Sequence, residues 1–252
     1  MTRRAFFINV LMNKIADGNT AIGVNQAIIN FLLSLGALQV SNLKRALDLP
    51  CGEGKFMMGL KATFPNVEIL GKDLYAKPIA EAKPYFLQQG VDQWAAHSGQ
   101  KFDLITCISG VMVFDNLVPF FQQCSSHLNS NGIFIVTNDN VMTLRDRLSW
   151  LLWGRMRRFK KFYDLNEGNW NLVLIQALVR FYLLNDFEIK KIEYVSTRWE
   201  DWLLAPVALL LYPLQLLTLR KGPAEISWSM RLQMYSWKSL FARHYIIYGV
   251  KK

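Results

Sequence analysis

The segment Ala46–Gly54, with the sequence ALDLPCGEG, combines acids and glycines in the pattern best suited to ligand binding in this chain. An apolar run ends near Asp48, Gly52 and Gly54 follow, and Lys55–Phe64 has helical spacing. This order predicts a strand, a turn and a helix. Glycines in such a turn let the backbone bend sharply and approach a ligand closely. The sequence therefore predicts a binding loop at the carboxyl end of a strand.

A second acid, Asp73, ends the next apolar run, which has the sequence VEILGKDL. It follows Gly54 by roughly 20 residues, the separation at which an acid meets a ribose in a Rossmann unit. A carboxylate can accept hydrogen bonds from both ribose hydroxyls. We therefore expect Asp73 to bind a ribose.

The loop also discriminates between classes of cofactor. A nicotinamide or flavin dinucleotide calls for a third glycine where this chain has Met57, and a phosphate-binding P-loop calls for a G-K-[ST] sequence that does not follow the turn. The acids Asp48, Glu53 and Asp73 instead favour a cationic ligand. S-adenosylmethionine carries a sulfonium and an ammonium and no phosphate, so it suits this loop better than a pyrophosphate does.

Four further segments stand in the same order as the motifs of a known family. The chain resembles the class I S-adenosylmethionine-dependent methyltransferases, whose first motif has a variant D-x-P-C-G-x-G that matches Asp48–Gly54, with Pro50 in place of the commoner glycine. In the approach to the fifth strand, Asn131 replaces the first glycine of the usual pattern. The other matching segments are Ile69–Asp73, Phe102–Ile105, Leu128–Val136 and Tyr245–Val250.

The resemblance implies a role for each residue of the cofactor site. Asp73 would hold the ribose, Leu74 would flank the adenine, and Asp92 would contact the adenine amine. Ser109 and Gly110 would border cofactor and substrate. The residues implied around the methionine part of the cofactor are Asp48, Pro50, Cys51, Gly52 and Gly54.

The periodicity of the chain predicts an α/β fold. We expect a Rossmann-like, seven-stranded, mostly parallel sheet with helices on both faces, an antiparallel last strand and two insertions. Strands are predicted at Ala46–Leu49, Val67–Leu70, Phe102–Ile108, Ile133–Thr137, Phe187–Val195 and Tyr245–Val250. Helices are predicted at Lys55–Phe64, Lys77–Gln88, Leu117–Leu128 and Leu172–Leu184.

One domain is expected to span residues 1–252. It would comprise a helical N-terminal region at 1–45, a cofactor-binding core at 46–139, and insertions at 140–170 and 196–240 that form a substrate- or membrane-facing cap. The apolar stretch Phe6–Met12 is interpreted as part of an amphipathic helix. Three dispersed cysteines argue against a disulfide framework and a zinc site, so a reducing cytoplasm is expected.

Methyl transfer from a sulfonium depends mainly on alignment of the acceptor, and a hydroxyl acceptor usually needs a base. Asp139, which leaves the fifth strand, is our first candidate for a base or positioning group, beside Ser109, Asp115, Asn138 and Asn140. The dispersed histidines His97, His127 and His244 are interpreted as structural, and no metal site is predicted.

The net charge of +10 favours an anionic partner, and basic residues are concentrated in Arg145–Lys161. In that segment Leu148, Leu152, Met156 and Phe159 would share one helical face, as in a basic helix at a membrane surface; a core-facing helix is the alternative. The uncharged run Leu203–Leu219 contains two prolines, so it is expected to lie at a membrane interface or to cap an apolar acceptor pocket, without spanning the bilayer.

The sequence therefore predicts a methyltransferase that uses S-adenosylmethionine. Its acceptor is expected to be a small, lipid-linked, glycan or apolar molecule near an anionic membrane, in the cytoplasm or at the inner face of the membrane. Two alternatives stay open: an interaction subunit that binds the cofactor without catalysis, and an RNA methyltransferase. The second is weakened because no D/N-P-P-Y/F motif follows the fourth strand, where the chain has Ile108–Val111.

Overall fold

The computed structural model describes residues 15–35, 43–93, 99–157, 159–160, 162, 164 and 170–252. The predicted helix around Phe6–Met12 and the histidine His97 lie outside the described residues.

A seven-stranded sheet with the strand order β3-β2-β1-β4-β5-β7-β6 forms the centre of the molecule. The strands β1 to β5 are mutually parallel, and β7 runs antiparallel to both β5 and β6. The predicted Rossmann-like sheet with an antiparallel last strand is therefore confirmed. The strands are β1 Arg45–Asp48, β2 Glu68–Asp73, β3 Phe86–Gln88, β4 Phe102–Ile108, β5 Leu128–Asp139, β6 Phe187–Val195 and β7 His244–Lys251.

Two apolar cores cover the two faces of this sheet. One contains residues of α3 and α5, such as Phe121 and Tyr182, and the other contains residues of α1 and α2, such as Ile28 and Leu60. The buried central strands are accordingly apolar on both faces, as parallel strands require. The helices are α1 Val24–Ser34, α2 Lys55–Thr63, α3 Leu117–His127, α4 Leu144–Trp153, α5 Ile175–Leu184, α6 Ala205–Thr218 and α7 Trp228–Met234.

The predicted helix at Lys77–Gln88 is wrong. The structure has a 3-10 helix at Ala80–Tyr85, followed by the short strand β3, which pairs with β2. Pro84 lies inside the 3-10 segment. Proline cannot donate the backbone hydrogen bond that a longer α-helix needs, so the apolar spacing of this block was misleading.

Both insertions contain helices. The insertion at 196–240 contains α6 and α7. Pro206 lies in the first turn of α6, where a missing backbone N–H costs nothing. In the first insertion, α4 ends at Trp153 because Gly154 adopts a left-handed conformation, so Met156 and Phe159 do not extend the predicted helical face.

Met57 of α2 packs against β2. A dinucleotide-binding fold would have a glycine at this position of the helix. The side chain is fully buried, and a Cβ atom added to Gly71 would lie 2.2 Å from its sulfur. The close contact between helix and strand is therefore made by a large residue in the helix and a glycine in the strand. This arrangement keeps α2 near the sheet and fixes the turn that precedes it.

Candidate active site

A cleft of about 360 Å³ opens at the carboxyl ends of β1, β2 and β4. This is the edge of an open parallel sheet at which ligands bind. The walls come from the loop after β1, the residues after β2, the end of β4 and the segment that precedes α1. The lining residues are Asp17, Gly18, Asn19, Thr20, Asn25, Asp48, Pro50, Cys51, Gly52, Glu53, Lys55, Phe56, Asp73, Tyr75, Ala76, Ile108 and Ser109.

The turn after β1 depends on two glycines in left-handed conformations. Gly52 has a φ of 54° and Gly54 a φ of 86°. A Cβ atom on Gly54 would also lie 2.5 Å from that of Ala82, so this glycine permits a close approach as well as the turn. Together they start α2 at Lys55 and leave the backbone of the loop facing the cleft.

Asp48 is a buried carboxyl group on the floor of the cleft, with 2% of its surface exposed. Burial raises its pKa to about 7, although the Thr106 hydroxyl donates to Oδ1 at 2.6 Å and lowers it, and Asp73 adds to the rise. An acid with such a pKa is poorly satisfied by the protein alone. A cation in the cleft would stabilise its charged form.

Asp73 has a different environment because backbone N–H groups surround its carboxylate. Oδ2 accepts from Gly52 N at 3.0 Å, and Oδ1 accepts from Tyr75 N at 2.9 Å and Ala76 N at 2.8 Å. The carboxylate thus ties the glycine turn after β1 to the segment after β2. It retains lone pairs that face the cleft, so it can hold the loop and accept from a ribose hydroxyl.

The cleft fits a cationic ligand. Asn25 is 2% exposed, and its Nδ2 donates to Ala16 O and Asp17 O at 2.7 and 3.1 Å. Its Oδ1 has no hydrogen-bond partner among the described residues. Both this acceptor and the buried carboxyl of Asp48 need a hydrogen-bond donor or a cation. Lys55, a cation in the lining of the cleft, is already paired with Glu53 at 2.8 Å. The ammonium and sulfonium of S-adenosylmethionine would supply the missing positive charge.

The structure brings together most of the residues predicted to bind the cofactor. Asp48, Pro50, Cys51, Gly52, Asp73 and Ser109 all line the cleft, whereas Gly54 and Gly110 lie behind the lining. Leu74 and Asp92 are exposed and outside it, whereas Tyr75 and Ala76 line it. The adenine contacts predicted for Leu74 and Asp92 are therefore not supported by their positions.

Sequence reasoning missed the wall formed by residues 17–20. The N-terminal region was predicted only as helical, but Asp17–Thr20 is a turn that closes over the cleft before α1. Asp17 Oδ1 accepts from Gly23 N at 2.7 Å and stabilises this turn. The signal was present in the composition, since DGNTAIG is rich in turn-forming residues.

A second, small cavity adjoins the end of β5. Its walls are mostly apolar, with Asp139 and Asn138 as polar groups at the strand end. Asn138 Nδ2 donates to Val173 O at 2.9 Å, while its buried Oδ1 has no partner in the described part of the chain. The cavity therefore offers an apolar pocket with an unused acceptor. The lining residues are Met112, Asn138, Asp139, Val141, Phe159, Trp170, Asn171, Leu172 and Val173.

His244 lies between these two cavities, although no motif in the sequence predicts this position. It is the first residue of β7, and its ring contacts Asp139 on one side and Ser109 on the other. The pairing of β5 with β7 sets Asp139 opposite His244. The earlier interpretation of His244 as purely structural rested on its isolation in the sequence, and antiparallel strand pairing removes that isolation.

The remaining candidates have structural or peripheral positions. Asn140 is buried; its Nδ2 donates to Ser239 O and Ala242 O, before β7, and its Oδ1 accepts from Met142 N, whereas Asp115 is exposed. Cys51, Cys107 and Cys124 are buried and free, and burial raises the pKa of each thiol. Residues 15–35, 43–93 and the other described ranges contain no cluster of acids, histidines and cysteines that could hold a metal.

Comparison with known proteins agrees with this fold and site. Residues 47–134 match a family model described as a methyltransferase domain, and this match contains the turn after β1. No curated protein matches the chain.

Solved structures share the fold at low sequence identity. A putative S-adenosylmethionine-dependent methyltransferase from Listeria monocytogenes is 15% identical, with a TM-score of 0.53 over 88% of this chain and 97% of that one. An S-adenosylmethionine-dependent methyltransferase from Clostridium acetobutylicum is 14% identical, with a TM-score of 0.55 over 99% of each chain. Magnesium protoporphyrin IX methyltransferase from Synechocystis, with bound S-adenosylhomocysteine, is 14% identical, with a TM-score of 0.55 over 99% of this chain and 94% of that one.

Residues 47–134 match a methyltransferase domain, and the whole sheet has the Rossmann-like fold of solved S-adenosylmethionine-dependent methyltransferases. This match and the acidic cleft support methyl transfer with S-adenosylmethionine as the cofactor.

Proposed function

We propose that this enzyme methylates an apolar or lipid-linked acceptor that reaches the active site from an anionic membrane surface. The observation that carries the proposal is a broad exposed apolar surface formed by the two insertions. We call it the α4–α6 surface, and it consists of Trp150, Leu151, Leu152, Trp153, Trp199, Leu203, Leu210, Leu214 and Leu217.

The exposed side chains of α6 and of the 3-10 helix before it follow one another at helical spacing. Leu203, Leu210, Leu214 and Leu217 form an apolar stripe, and Leu210 is 76% exposed. By length and composition the helical run Trp199–Thr218 could cross a membrane, and 11% of its most apolar window is buried. This exposure supports an interfacial helix over a buried cap. So large an exposed patch is typical of a membrane or protein contact.

The inner side of α6 packs on the domain, which favours a helix lying in the interface. Ala208 packs with Leu144 of α4 and Phe241. Gln215 accepts from Arg147 Nη2 at 2.8 Å and donates to Tyr235 O at 3.1 Å. A helix that spanned the bilayer would have to break these contacts, whereas a helix lying in the interface keeps them.

Cations and aromatic residues flank the α4–α6 surface. Arg155 follows α4, and Arg220 and Lys221 follow α6, all three exposed. Trp153 and Trp199 are exposed, and tryptophan is enriched at membrane–water interfaces. Part of the basic segment has an internal role, since Arg145 binds Asp201 and Arg157 binds Asp146, which weakens the case for a nucleic-acid surface.

The second cavity supports an acceptor beside the cofactor. It lies at the end of β5, next to the cofactor cleft at the end of β4, and α4 follows it in the chain. Its volume of about 20 Å³ admits only a small group, so it would take the reactive end of an acceptor whose apolar part stays outside. Residues 140–144 link the end of β5, at this cavity, to α4 of the α4–α6 surface.

Incubation with methyl-labelled S-adenosylmethionine tests the proposal. Four pools would be supplied: lipids in anionic vesicles, RNA, protein and soluble small molecules. We expect label in the lipid pool. The negative control is Gly54→Val, whose side chain would collide with Ala82 and Met57.

Label in the RNA pool alone would overturn the membrane assignment in favour of an RNA methyltransferase. Tight binding of S-adenosylhomocysteine without label in any pool would instead indicate a cofactor-binding subunit without turnover.

A further inference from the structure

His244 connects the cofactor cleft to the second cavity through a short chain of hydrogen bonds. The ring is 1% exposed. Nδ1 lies 3.0 Å from Asp139 Oδ1, and Nε2 lies 3.0 Å from Thr137 Oγ1 and 3.3 Å from Ser109 Oγ. Ser109 lines the cofactor cleft and Asp139 lines the second cavity. The imidazole thus lies between the cofactor cleft, where the methyl donor would bind, and the second cavity, where the acceptor would bind.

The partners of the ring determine which nitrogen carries the proton. A carboxylate can only accept, so Asp139 places the proton on Nδ1. With the proton on Nδ1, Nε2 accepts from the Thr137 and Ser109 hydroxyls, while Thr137 Oγ1 itself accepts the backbone N–H of Ser109 at 3.0 Å. Nε2 therefore has a lone pair directed toward the two hydroxyl groups and can take up a proton.

Ser109 is held in an unusual backbone conformation. Its φ is 53°, in the left-handed region that residues other than glycine seldom adopt. Its Oγ lies 2.7 Å from Thr20 Oγ1, so the hydroxyl bridges the turn over the cleft and the buried histidine. Such strain persists where the surrounding structure enforces it, and it is common at functional sites.

We propose that Ser109, His244 and Asp139 form a proton relay, and that the acceptor atom is a hydroxyl oxygen. This inference rests on the proposed methyl transfer and names the chemical class of its acceptor. Ser109 is the member that contacts the acceptor. His244 and Asp139 act through it as positioning residues, and the carboxylate compensates the charge that develops on the ring.

The reaction balances with these groups. The acceptor oxygen forms a bond to the methyl carbon as the carbon–sulfur bond breaks, and that electron pair stays on sulfur. The acceptor proton passes to Ser109 Oγ while the Ser109 hydroxyl proton moves to His244 Nε2. The products are a methyl ether, a neutral thioether and an imidazolium, which later returns its proton to water. A hydroxyl acceptor needs such help because its proton is weakly acidic.

Nitrogen NMR of histidine-labelled protein tests the relay without any acceptor. The His244 resonances would be assigned by their loss in His244→Gln or, if that variant does not fold, by elimination with His97→Gln and His127→Gln. At pH 8 we expect a protonated Nδ1 and an unprotonated Nε2. Ser109→Ala should shift the Nε2 resonance and leave that of His127 unchanged. A protonated Nε2 in the wild-type protein would overturn the proposal.

The labelled-methyl assay tests the chemical step. His244→Gln and Ser109→Ala should each slow incorporation by about 10²- to 10⁴-fold, and His244→Gln, outside the cleft lining, should keep its affinity for S-adenosylhomocysteine within about threefold of wild type. His127→Gln, at the opposite edge of the sheet, is the matched control. The product should be an O-methyl compound.

An N-methyl product, or unchanged rates in both variants, would overturn the relay and leave methyl transfer intact. Absence of incorporation by the wild-type protein would instead overturn the proposed function, while the nitrogen spectrum would still decide whether the relay geometry exists.

Discussion

Asp48 and Asp73 end neighbouring strands, yet their surroundings give them different tasks. Asp48 has one hydroxyl donor and is buried, so its charged form depends on a ligand. Asp73 accepts from three backbone N–H groups, so it organises the loop before any ligand arrives. At this scale the site is a pair of carboxylates, of which the first responds to a cation and the second holds the binding loop.

Replacing Asp73 should weaken cofactor binding. Asp73→Ala should lower the affinity for S-adenosylhomocysteine by roughly 10- to 150-fold, because it removes a charge-assisted ribose contact of about 1.5–3 kcal/mol. Calorimetry on the folded variant measures this. Since the alanine also frees the loop, Asp73→Asn separates the two effects.

The matched control is Asp103→Asn. Asp103 accepts from Lys44 N, Arg45 N and Asn129 Nδ2, but at the start of β4, at the other edge of the sheet. Equal losses of affinity in the Asp73 and Asp103 variants would contradict the ribose contact.

Ligand binding should depend on pH through Asp48. The ligand-free fold favours the neutral carboxyl, so this group stabilises the fold most at low pH and loses that contribution as pH rises through about 7. The ammonium group that S-adenosylmethionine and S-adenosylhomocysteine share favours the charged form. Affinity for S-adenosylhomocysteine should therefore be about five- to tenfold weaker at pH 6 than at pH 7.5, with proton release on binding.

Calorimetry in two buffers of different ionisation enthalpy would detect the released proton. In Asp48→Asn the change with pH should disappear. A slope that survives in this variant would assign the titration to another group.

Among the elements, the start of α6 has the most specific anchor. The 3-10 helix Trp199–Leu204 leads into α6, and its Asp201 is buried. Asp201 accepts from Arg243 at 2.9 Å and from Arg145 at 3.2 Å. Burial alone would raise the pKa of Asp201, but the hydrogen bonds from Arg243 and the Arg198 backbone lower it below its ordinary value. An apolar helix on the surface is thus fixed to the domain by a charged contact at one end.

Breaking this anchor should destabilise the protein. Asp201→Asn should lower the free energy of unfolding by about 2–4 kcal/mol, because two arginines lose their counter-charge in a largely buried setting. Urea unfolding measures the change. Glu188→Gln, which removes an exposed pair with Lys190, is the control and should cost less than about 1 kcal/mol. Similar costs for both variants would show that Asp201 is not an anchor.

At the scale of the whole molecule, the cofactor cleft and the α4–α6 surface are both built from segments that follow strands of the sheet. The insertions after β5 and β6 form that surface, while the loops after β1, β2 and β4 form the cofactor cleft. An enzyme arranged in this way could collect an acceptor from a lipid surface without withdrawing it fully into water.

Membrane contact should be measurable by flotation with anionic vesicles. We expect the protein to float with vesicles rich in phosphatidylglycerol, less with neutral vesicles, and less as salt is raised. Leu210→Glu with Leu214→Glu should abolish flotation, because both side chains are exposed on the α6 stripe. Arg155→Glu with Lys221→Glu should weaken it and remove the salt dependence.

Leu184→Glu is the matched control, since Leu184 is 65% exposed at the end of α5, away from the insertions. Flotation of the α6 variant at the wild-type level would contradict the interfacial assignment. Release only by detergent, and not by salt, would favour a spanning helix.

Local sequence determined the parallel core of this protein and its cofactor loop. The predicted bounds of β4 and β6 are the observed ones, because burial on the sheet determines the pattern of apolar residues along each strand. The loop Asp48–Gly54 is also local, since its geometry depends on glycines within a few residues of one another. Where local signals conflicted, as at Pro84 in Lys77–Gln88, the predicted element was wrong.

Only the tertiary structure decided which distant residues meet. The turn at Asp17–Thr20 joins the cleft because α1 packs on the sheet, and no spacing in the sequence encodes that approach. His244 reaches Asp139 because β7 pairs antiparallel with β5, across more than a hundred residues of chain. Sequence patterns report burial along one element. Hydrogen bonds such as those of His244 act over about 3 Å in space between residues that are distant in the chain. The contact between His244 and Asp139 is therefore visible only in the folded protein.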